Sequence, residues 1–193
     1  MRVKIYIEGG GDSAYLDERF REGWTAFFER AGLDNRMPRP VRGKGRTQTF
    51  DLYRTPVRNR RPDELPLLLV DSESLPAQEC SPWQHLKARP EDNWDKPEGA
   101  GDDDAFLMIC CMETWFIADR VALQRFFGQH WRENGIPKWE TLEAISKEQV
   151  LKALNSASVV DPVDTRRVHP RSSCLPRSIL QRSRKGARPQ QSY

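Results

Sequence analysis

The stretch VKIYIEGGGD, residues 3–12, decides the fold, because it sets an acid at the end of a strand and glycines directly after it. Val3–Ile7 alternates and is rich in β-branched residues, which predicts a strand that ends at Glu8. Asp12 or Ser13 can cap a helix over residues 13–31, whose aromatic residues fall on one face at helical spacing. A strand followed directly by a helix is the first unit of an α/β sheet.

Two further apolar runs predict the central strands. LPLLLV, residues 65–70, stops at Asp71, and AFLMICC, residues 105–111, is followed by METWFIAD. A short edge strand is predicted over residues 37–41, because prolines are tolerated at a sheet edge. The segment from residue 43, GKGRTQTFDLYRTP, predicts a glycine turn and a helix that ends before Pro56. The alternation predicts an α/β fold: a small parallel sheet with helices on both faces.

The second half of the chain gives weaker patterns. Residues 72–104 show no periodicity and are predicted to be a long loop, in which His85 packs with Trp83. Asp119 is predicted to cap the helix RVALQRFF, which ends at Gly128. ETLEAISKEQVLKAL, residues 140–154, predicts a last amphipathic helix.

Length and charge predict one domain with a tail. The 193 residues divide into a domain over residues 1–156 and a basic tail rich in Pro, Ser and Arg over residues 157–193. Eight Lys and Arg residues and no acid follow Thr165. The net charge of +3 is therefore the sum of +8 in residues 166–193 and −5 in residues 1–165. The four cysteines lack metal spacing, and the sequence predicts neither a membrane span nor a signal peptide. These features predict a cytoplasmic protein with reduced thiols.

Acids follow all three of the clear strands. Glu8 ends the first, Asp71 and Glu73 follow the second, and Glu113 lies just past the third. Carboxyl ends of parallel neighbours share one edge of a sheet, so these four carboxylates are expected in one crevice. Crowded carboxylates need compensation, which Mg²⁺ or Mn²⁺ supplies. Gly9, Gly10 and Gly11 would let backbone amides approach a phosphate.

The motifs YIEGGGD, LLLVDSE and MICCMETWFIAD, in this order, resemble a Toprim-type domain. More closely, the chain resembles the bacterial Toprim-like family catalogued as domain of unknown function 4276, over about residues 1–154. The resemblance to Toprim domains of overcoming-lysogenization-defect nucleases implies that Glu8 transfers a proton, that Asp71 and Glu73 hold the metal, and that Glu113 belongs to an ETW motif. Asp-Ser-Glu replaces the usual Asp-x-Asp, and glutamate reaches about one methylene further.

The basic residues Lys44 and Arg46 lie between and beside glycines, where they could clamp a phosphate; the alternative is that they are only solvated, as exposed basic residues more often are. With Glu8 they complete the predicted catalytic set. The resulting expectation is a metal-dependent nuclease acting on DNA or RNA, in phage or mobile-element defence, with an ATPase partner that the resemblance implies. The alternative is a non-catalytic subunit that only docks a partner or nucleic acid.

The tail departs from the family pattern, which would continue with a basic segment and a final helix. Its composition predicts disorder. With free codon choice, residues 172–183 (SSCLPRSILQRS) read one base earlier can spell a family-like ending, FELLAKIDPAKV. We therefore hypothesise a frameshifted ending, which would make the chain weak or inactive. The alternative is a native basic arm that binds phosphates.

Overall fold

The computed structural model of the protein describes residues 1–9 and 14–158, with the side chains of residues 14–16 outside that description. Four strands and six α-helices alternate along this part of the chain, with short 3₁₀ turns between some of them. The strands are β1 (Arg2–Glu8), β2 (Arg39–Gly43), β3 (Glu64–Asp71) and β4 (Ala105–Met108). The helices are α1 (Ala14–Arg30), α2 (Arg46–Arg58), α3 (Pro82–Ala88), α4 (Met112–Ile117), α5 (Arg120–Phe127) and α6 (Lys147–Ala157).

The strands form one parallel sheet in the order β2-β1-β3-β4. The register sets Glu8 beside Gly43 and Asp71 beside Met108, so the acids that end β1 and β3 emerge at the same edge of the sheet. β4 pairs with β3 only from Leu68 onward, so Pro66 lies before the stretch in which β3 is paired on both sides. The prediction of a parallel α/β sheet is confirmed.

Helices cover both faces of the sheet, as predicted. Alternate residues of β3 point to opposite faces: Leu68 and Val70 pack with α2 and α3, and Leu69 packs with α1. A third cluster lies beyond the sheet, where α4 packs against α6. Its buried members are Cys111, Ile117, Ile136, Val150, Ala153 and Ala157.

Several predicted boundaries are wrong. α2 continues through Pro56 to Arg58, because Val57 is buried in the core and holds the last turn in place. β4 ends at Met108 instead of Cys111, since Cys110 adopts a positive φ of 55° that a strand does not accommodate. The last helix begins at Lys147 and not near residue 140, because Ser146 caps it with Gln149 in a capping box.

The predicted structureless loop over residues 72–104 is also wrong, because it contains α3. Ser81 accepts a hydrogen bond from the Gln84 backbone N–H, and the Gln84 side chain accepts one from the Ser81 backbone. The sequence SPWQ, with Pro82 at the first helical position, carries this capping signal. By contrast, α5 is capped by Asp119 and ends at Gly128, as predicted.

Some predictions fall outside the described residues. These are Gly10 and Gly11 of the glycine run, the helix cap at Asp12 or Ser13, and the tail beyond Ser158 with its frameshift hypothesis. Within the part that is described, α6 ends at Ala157, and Ser158 forms an isolated bridge with Trp131. Across residues 1–9 and 14–158, the helices are all too short or too polar to cross a membrane. Cys80, Cys110 and Cys111 are free thiols.

Candidate metal centre

Three acids meet at the carboxyl edge of the sheet. Glu8 ends β1, Asp71 ends β3, and Glu73 follows two residues later. One carboxylate oxygen from each lies within 4.8 Å of the others. Asp71 is buried, whereas Glu8 and Glu73 are half-buried. The structure therefore brings together three of the four predicted metal ligands, on two neighbouring parallel strands.

The turn after β3 is fixed by hydrogen bonds that aim Glu73 at this crevice. The buried Ser72 hydroxyl accepts from the Cys110 backbone N–H at 2.7 Å and donates to the Ser74 carbonyl at 2.6 Å. Glu73 has a φ of 63°, a left-handed conformation that non-glycine residues rarely adopt. Its N–H donates to the Cys110 carbonyl at 2.8 Å, which holds the strained backbone in place.

The crevice disfavours negative charge until cations compensate it. Burial, joined by the charges of Glu8 and Glu113 and opposed by Lys147, raises the pKa of Asp71 from 3.8 to about 7. Burial also raises the pKa of Glu8, although the Arg46 guanidinium and the Asp71 backbone N–H act to lower it. Carboxylates held in this way gain from a bound cation, which favours their charged forms.

Arg46, the first residue of α2, is the first compensating cation. Its Nη1 donates to Glu8 Oε2 at 3.0 Å and to the Asp71 carbonyl at 2.6 Å. Its Nε and Nη2 donate to the two oxygens of Asp92, both at 2.6 Å. Its guanidinium also lies 5.2 Å from the ring centroid of Trp94, within the range of a cation–π contact. Arg46 is therefore a fixed part of the wall of the crevice.

Lys147, the first residue of α6, is the second cation, and sequence reasoning missed it. Its Nζ lies 2.7 Å from Glu73 Oε1 and 3.2 Å from Asp71 Oδ2. The motif SKEQ indicates only a helix start. Because 74 and 76 residues separate Lys147 from its two partners, no local pattern points to the contact. Asp92 was missed for the same reason, since it lies 46 residues from Arg46.

A family model described as a domain of unknown function, DUF4276, matches residues 7–164, which is most of the chain. The chain belongs to the DUF4276 family. The matched range includes the three acids, Arg46 and Lys147. No curated protein and no solved structure matches the chain.

The fourth acid predicted for this DUF4276 domain, Glu113, lies in the first turn of α4 and is half-buried. Glu113 is not one of the three residues whose oxygens meet within 4.8 Å. It is nevertheless close enough for its charge to raise the pKa of Asp71. Asp71 Oδ1 also accepts from the Met112 backbone N–H at 2.9 Å, so α4 orients the central carboxylate.

The remaining predicted residues of the DUF4276 domain lie around this edge. The backbone N–H of Gly9 donates to the Gly43 carbonyl at 3.0 Å. This N–H group is therefore already hydrogen-bonded at the end of β2. Lys44 is exposed in the turn between β2 and α2, where its backbone N–H donates to Gln48 Oε1 at 2.8 Å. His85 is buried, as expected for packing. Its Nε2 lies 2.8 Å from the carbonyl oxygen of Ser72, the residue between Asp71 and Glu73.

Proposed function

We propose that this DUF4276 protein is a Mg²⁺- or Mn²⁺-dependent phosphodiesterase that cleaves nucleic acid with a Toprim-like arrangement of acids. The observation that carries the proposal is the meeting of Glu8, Asp71 and Glu73 within 4.8 Å at the carboxyl ends of adjacent parallel strands. Ligands and catalytic groups collect at that edge in open α/β sheets.

The donor set fits a hard divalent cation. All three acids offer carboxylate oxygens, the donors that Mg²⁺ and Mn²⁺ prefer. One oxygen of each acid lies within 4.8 Å of the others, so all three could approach a single divalent ion between them with small side-chain movements. The raised pKa of Asp71 indicates the same need for positive charge.

In this proposal, each residue has a separate role. Asp71 and Glu73 would hold the metal ion, which when bound would stabilise negative charge that develops on a phosphate oxygen. Glu8 would transfer a proton, because burial raises its pKa, the direction that suits a general acid–base group at neutral pH. Arg46 would keep the Glu8 carboxylate in place. Lys44 would contact the phosphate backbone from the rim.

The substrate class and the setting are also proposals, supported by the resemblance of the strand-end acids to those of Toprim nucleases. DNA and RNA share the phosphodiester that such a site would bind. We further propose a cytoplasmic location, a role in phage or mobile-element defence, and an ATPase partner that licenses cleavage. The three free thiols in the described part of the chain agree with a reducing compartment.

One observation favours a second candidate function, a non-catalytic subunit that docks nucleic acid or a partner protein. Arg46 and Lys147 already contact all three acids, so the protein itself supplies two positive charges to the crevice. A site balanced in this way can be stable without a metal ion. The two candidates differ in whether a divalent cation is required.

The test is incubation of the full chain with end-labelled single- and double-stranded DNA and RNA, in Mg²⁺, Mn²⁺ or EDTA. Cleavage in the metal arms and none in EDTA is the expected result. Asp71→Asn should abolish it, whereas Asp51→Asn, which alters an exposed pair with Arg54 on α2, should not. Binding that is equally tight with EDTA, without cleavage in any arm, would favour the docking subunit.

A further inference from the structure

We infer that Lys147 is an exchangeable cation: a divalent metal ion displaces its ammonium from Asp71 and Glu73, and the released ammonium then binds a phosphate of the nucleic acid. This inference deepens the proposed function and rests on it. It gives the crevice a phosphate-binding group that is released from the carboxylates of Asp71 and Glu73 only when metal is present.

The first step follows from where the ammonium lies. Lys147 Nζ contacts Glu73 Oε1 at 2.7 Å and Asp71 Oδ2 at 3.2 Å. These two residues supply two of the three oxygens that meet within 4.8 Å. Asp71 Oδ1 is already hydrogen-bonded to the Met112 backbone N–H. A metal ion approaching Asp71 from the crevice would therefore meet Lys147 at Oδ2, where the two cations compete.

A metal ion would not displace Arg46 in the same way. It is held by a bidentate pair with Asp92 on one side, and by Glu8 and the Asp71 carbonyl on the other. Displacing it would break these bonds and leave buried Asp92 with one cation fewer. Among the described residues, the ammonium of Lys147 contacts only the carboxylates of Asp71 and Glu73, and the Lys147 side chain is 34% exposed. Of the two cations that contact these acids within the described part of the chain, Lys147 is therefore the one that a metal ion can displace.

The second step follows from the position of Lys147 on α6. It is the first residue of a helix of 11 residues, and its flexible stem starts at the end of the helix where the macrodipole favours anions. A bound divalent ion repels the ammonium, so the released Lys147 moves towards the nearest negative charge. On a nucleic acid held at this edge, that charge is a backbone phosphate.

The first arm of the test measures Mn²⁺ affinity without nucleic acid, by the electron paramagnetic resonance signal of free Mn²⁺. Lys147→Met keeps most of the stem and removes the charge, and Lys147→Gln serves as a second variant should the first fold poorly. Lys152→Met, at an exposed position on the same helix, is the matched control. Removal of the competing cation should tighten Mn²⁺ binding about 5- to 150-fold, the usual range for coupled sites, and the control should match wild type.

The second arm measures how the affinity for a phosphorothioate-protected single-stranded oligonucleotide depends on salt. In wild type, saturating Mn²⁺ should steepen the plot of log affinity against log salt by about 0.7, the value for one added phosphate contact. Lys147→Met and Lys147→Gln should lack this increment, and Lys152→Met should keep it.

The outcomes separate this inference from the proposed catalysis. Equal or weaker Mn²⁺ binding in both Lys147 variants would overturn the exchange, and metal-dependent cleavage by wild type would then leave the proposed function standing. An equal salt increment in wild type and variants would overturn the phosphate step. If both arms give the expected results and no substrate is cleaved, the exchange stands and the proposed catalysis fails. Absence of Mn²⁺ binding by wild type and variants would overturn both.

Discussion

Asp92 accepts hydrogen bonds from Arg46 with both of its carboxylate oxygens, at two N···O distances of 2.6 Å, and only 2% of the Asp92 side chain is exposed. This bidentate pair orients the guanidinium so that its remaining nitrogen reaches Glu8 at 3.0 Å. Arg89 Nε also donates to Asp92 Oδ2 at 2.8 Å, which further anchors the carboxylate. The segment after α3, which looked like an irregular loop in the sequence, thus fixes the proposed proton-transfer residue.

Asp92→Asn should destabilise the fold by about 3 kcal/mol, because removing one partner of a buried ion pair leaves the other charge uncompensated. Urea denaturation at neutral pH measures the change. The matched control is Asp95→Asn, three residues away, whose pair with Lys87 is exposed and should contribute less than about 0.5 kcal/mol. A destabilisation no larger than that of the control would show that Asp92 does not anchor Arg46.

The pKa of Asp71, raised by burial from 3.8 to about 7, makes stability depend on pH. The contribution of Asp71 is fully present below about pH 4 and is lost as the pH rises through about 7, because the folded state holds a proton that the unfolded state has released. From about pH 5 to about pH 8, wild type should lose about 2–3 kcal/mol relative to Asp71→Asn. Urea denaturation in EDTA at several pH values measures this loss. If the two proteins lose stability in parallel, the pKa of Asp71 is not raised.

Divalent metal should stabilise the folded protein, since a ligand that binds only the native state shifts the unfolding equilibrium by mass action. At about 100 times the dissociation constant, the gain is about 2.7 kcal/mol, or roughly 5–10 °C in Tm for a chain of this size. Differential scanning fluorimetry with Mg²⁺ or Mn²⁺ against EDTA tests this. Asp71→Asn should shrink the shift and Asp51→Asn should keep it. An unshrunken shift in Asp71→Asn would remove Asp71 from the metal site.

Local pattern was sufficient for the presence of the strands, although not for the end of β4, and for the three acids that follow β1 and β3. β1 is an alternating segment and β3 an apolar run, they stop at Glu8 and Asp71, and strands alternating with helices leave few topologies open. The contacts of the two cations with these acids could not be predicted from local sequence. Arg46 was predicted to bind phosphate, but it is engaged by Asp92, and Lys147 comes from a helix far along the chain. Such pairs depend on how elements pack in three dimensions, which periodicity and spacing do not encode.

Gly43→Ala should destabilise the protein by about 1–3 kcal/mol, the usual cost of overpacking. A Cβ at Gly43 would lie 2.7 Å from the Cα of Thr49, because the first turn of α2 packs closely against the end of β2. Gly23→Ala is the control, since a Cβ there has no atom within 4 Å among the described residues and should stabilise α1 by about 0.5–1 kcal/mol. Thermal unfolding of both variants measures the contrast. If Gly43→Ala is as stable as wild type, α2 does not approach β2 this closely.

Glu8→Gln tests the proton-transfer role that we propose for Glu8. The amide keeps the size of the carboxylate, and its oxygen can still accept from Arg46 and from the Asp71 backbone N–H, so the fold should survive. It cannot exchange a proton, and cleavage should fall by about 10²–10⁴-fold, the usual contribution of a general acid or base. Oligonucleotide affinity should stay close to that of wild type, because the phosphate contacts are assigned to Lys44 and Lys147. Single-turnover rates and filter binding separate the two effects. A variant that cleaves at the wild-type rate would make Glu8 a structural partner of Arg46, and one that loses binding and cleavage together would place Glu8 in substrate or metal binding.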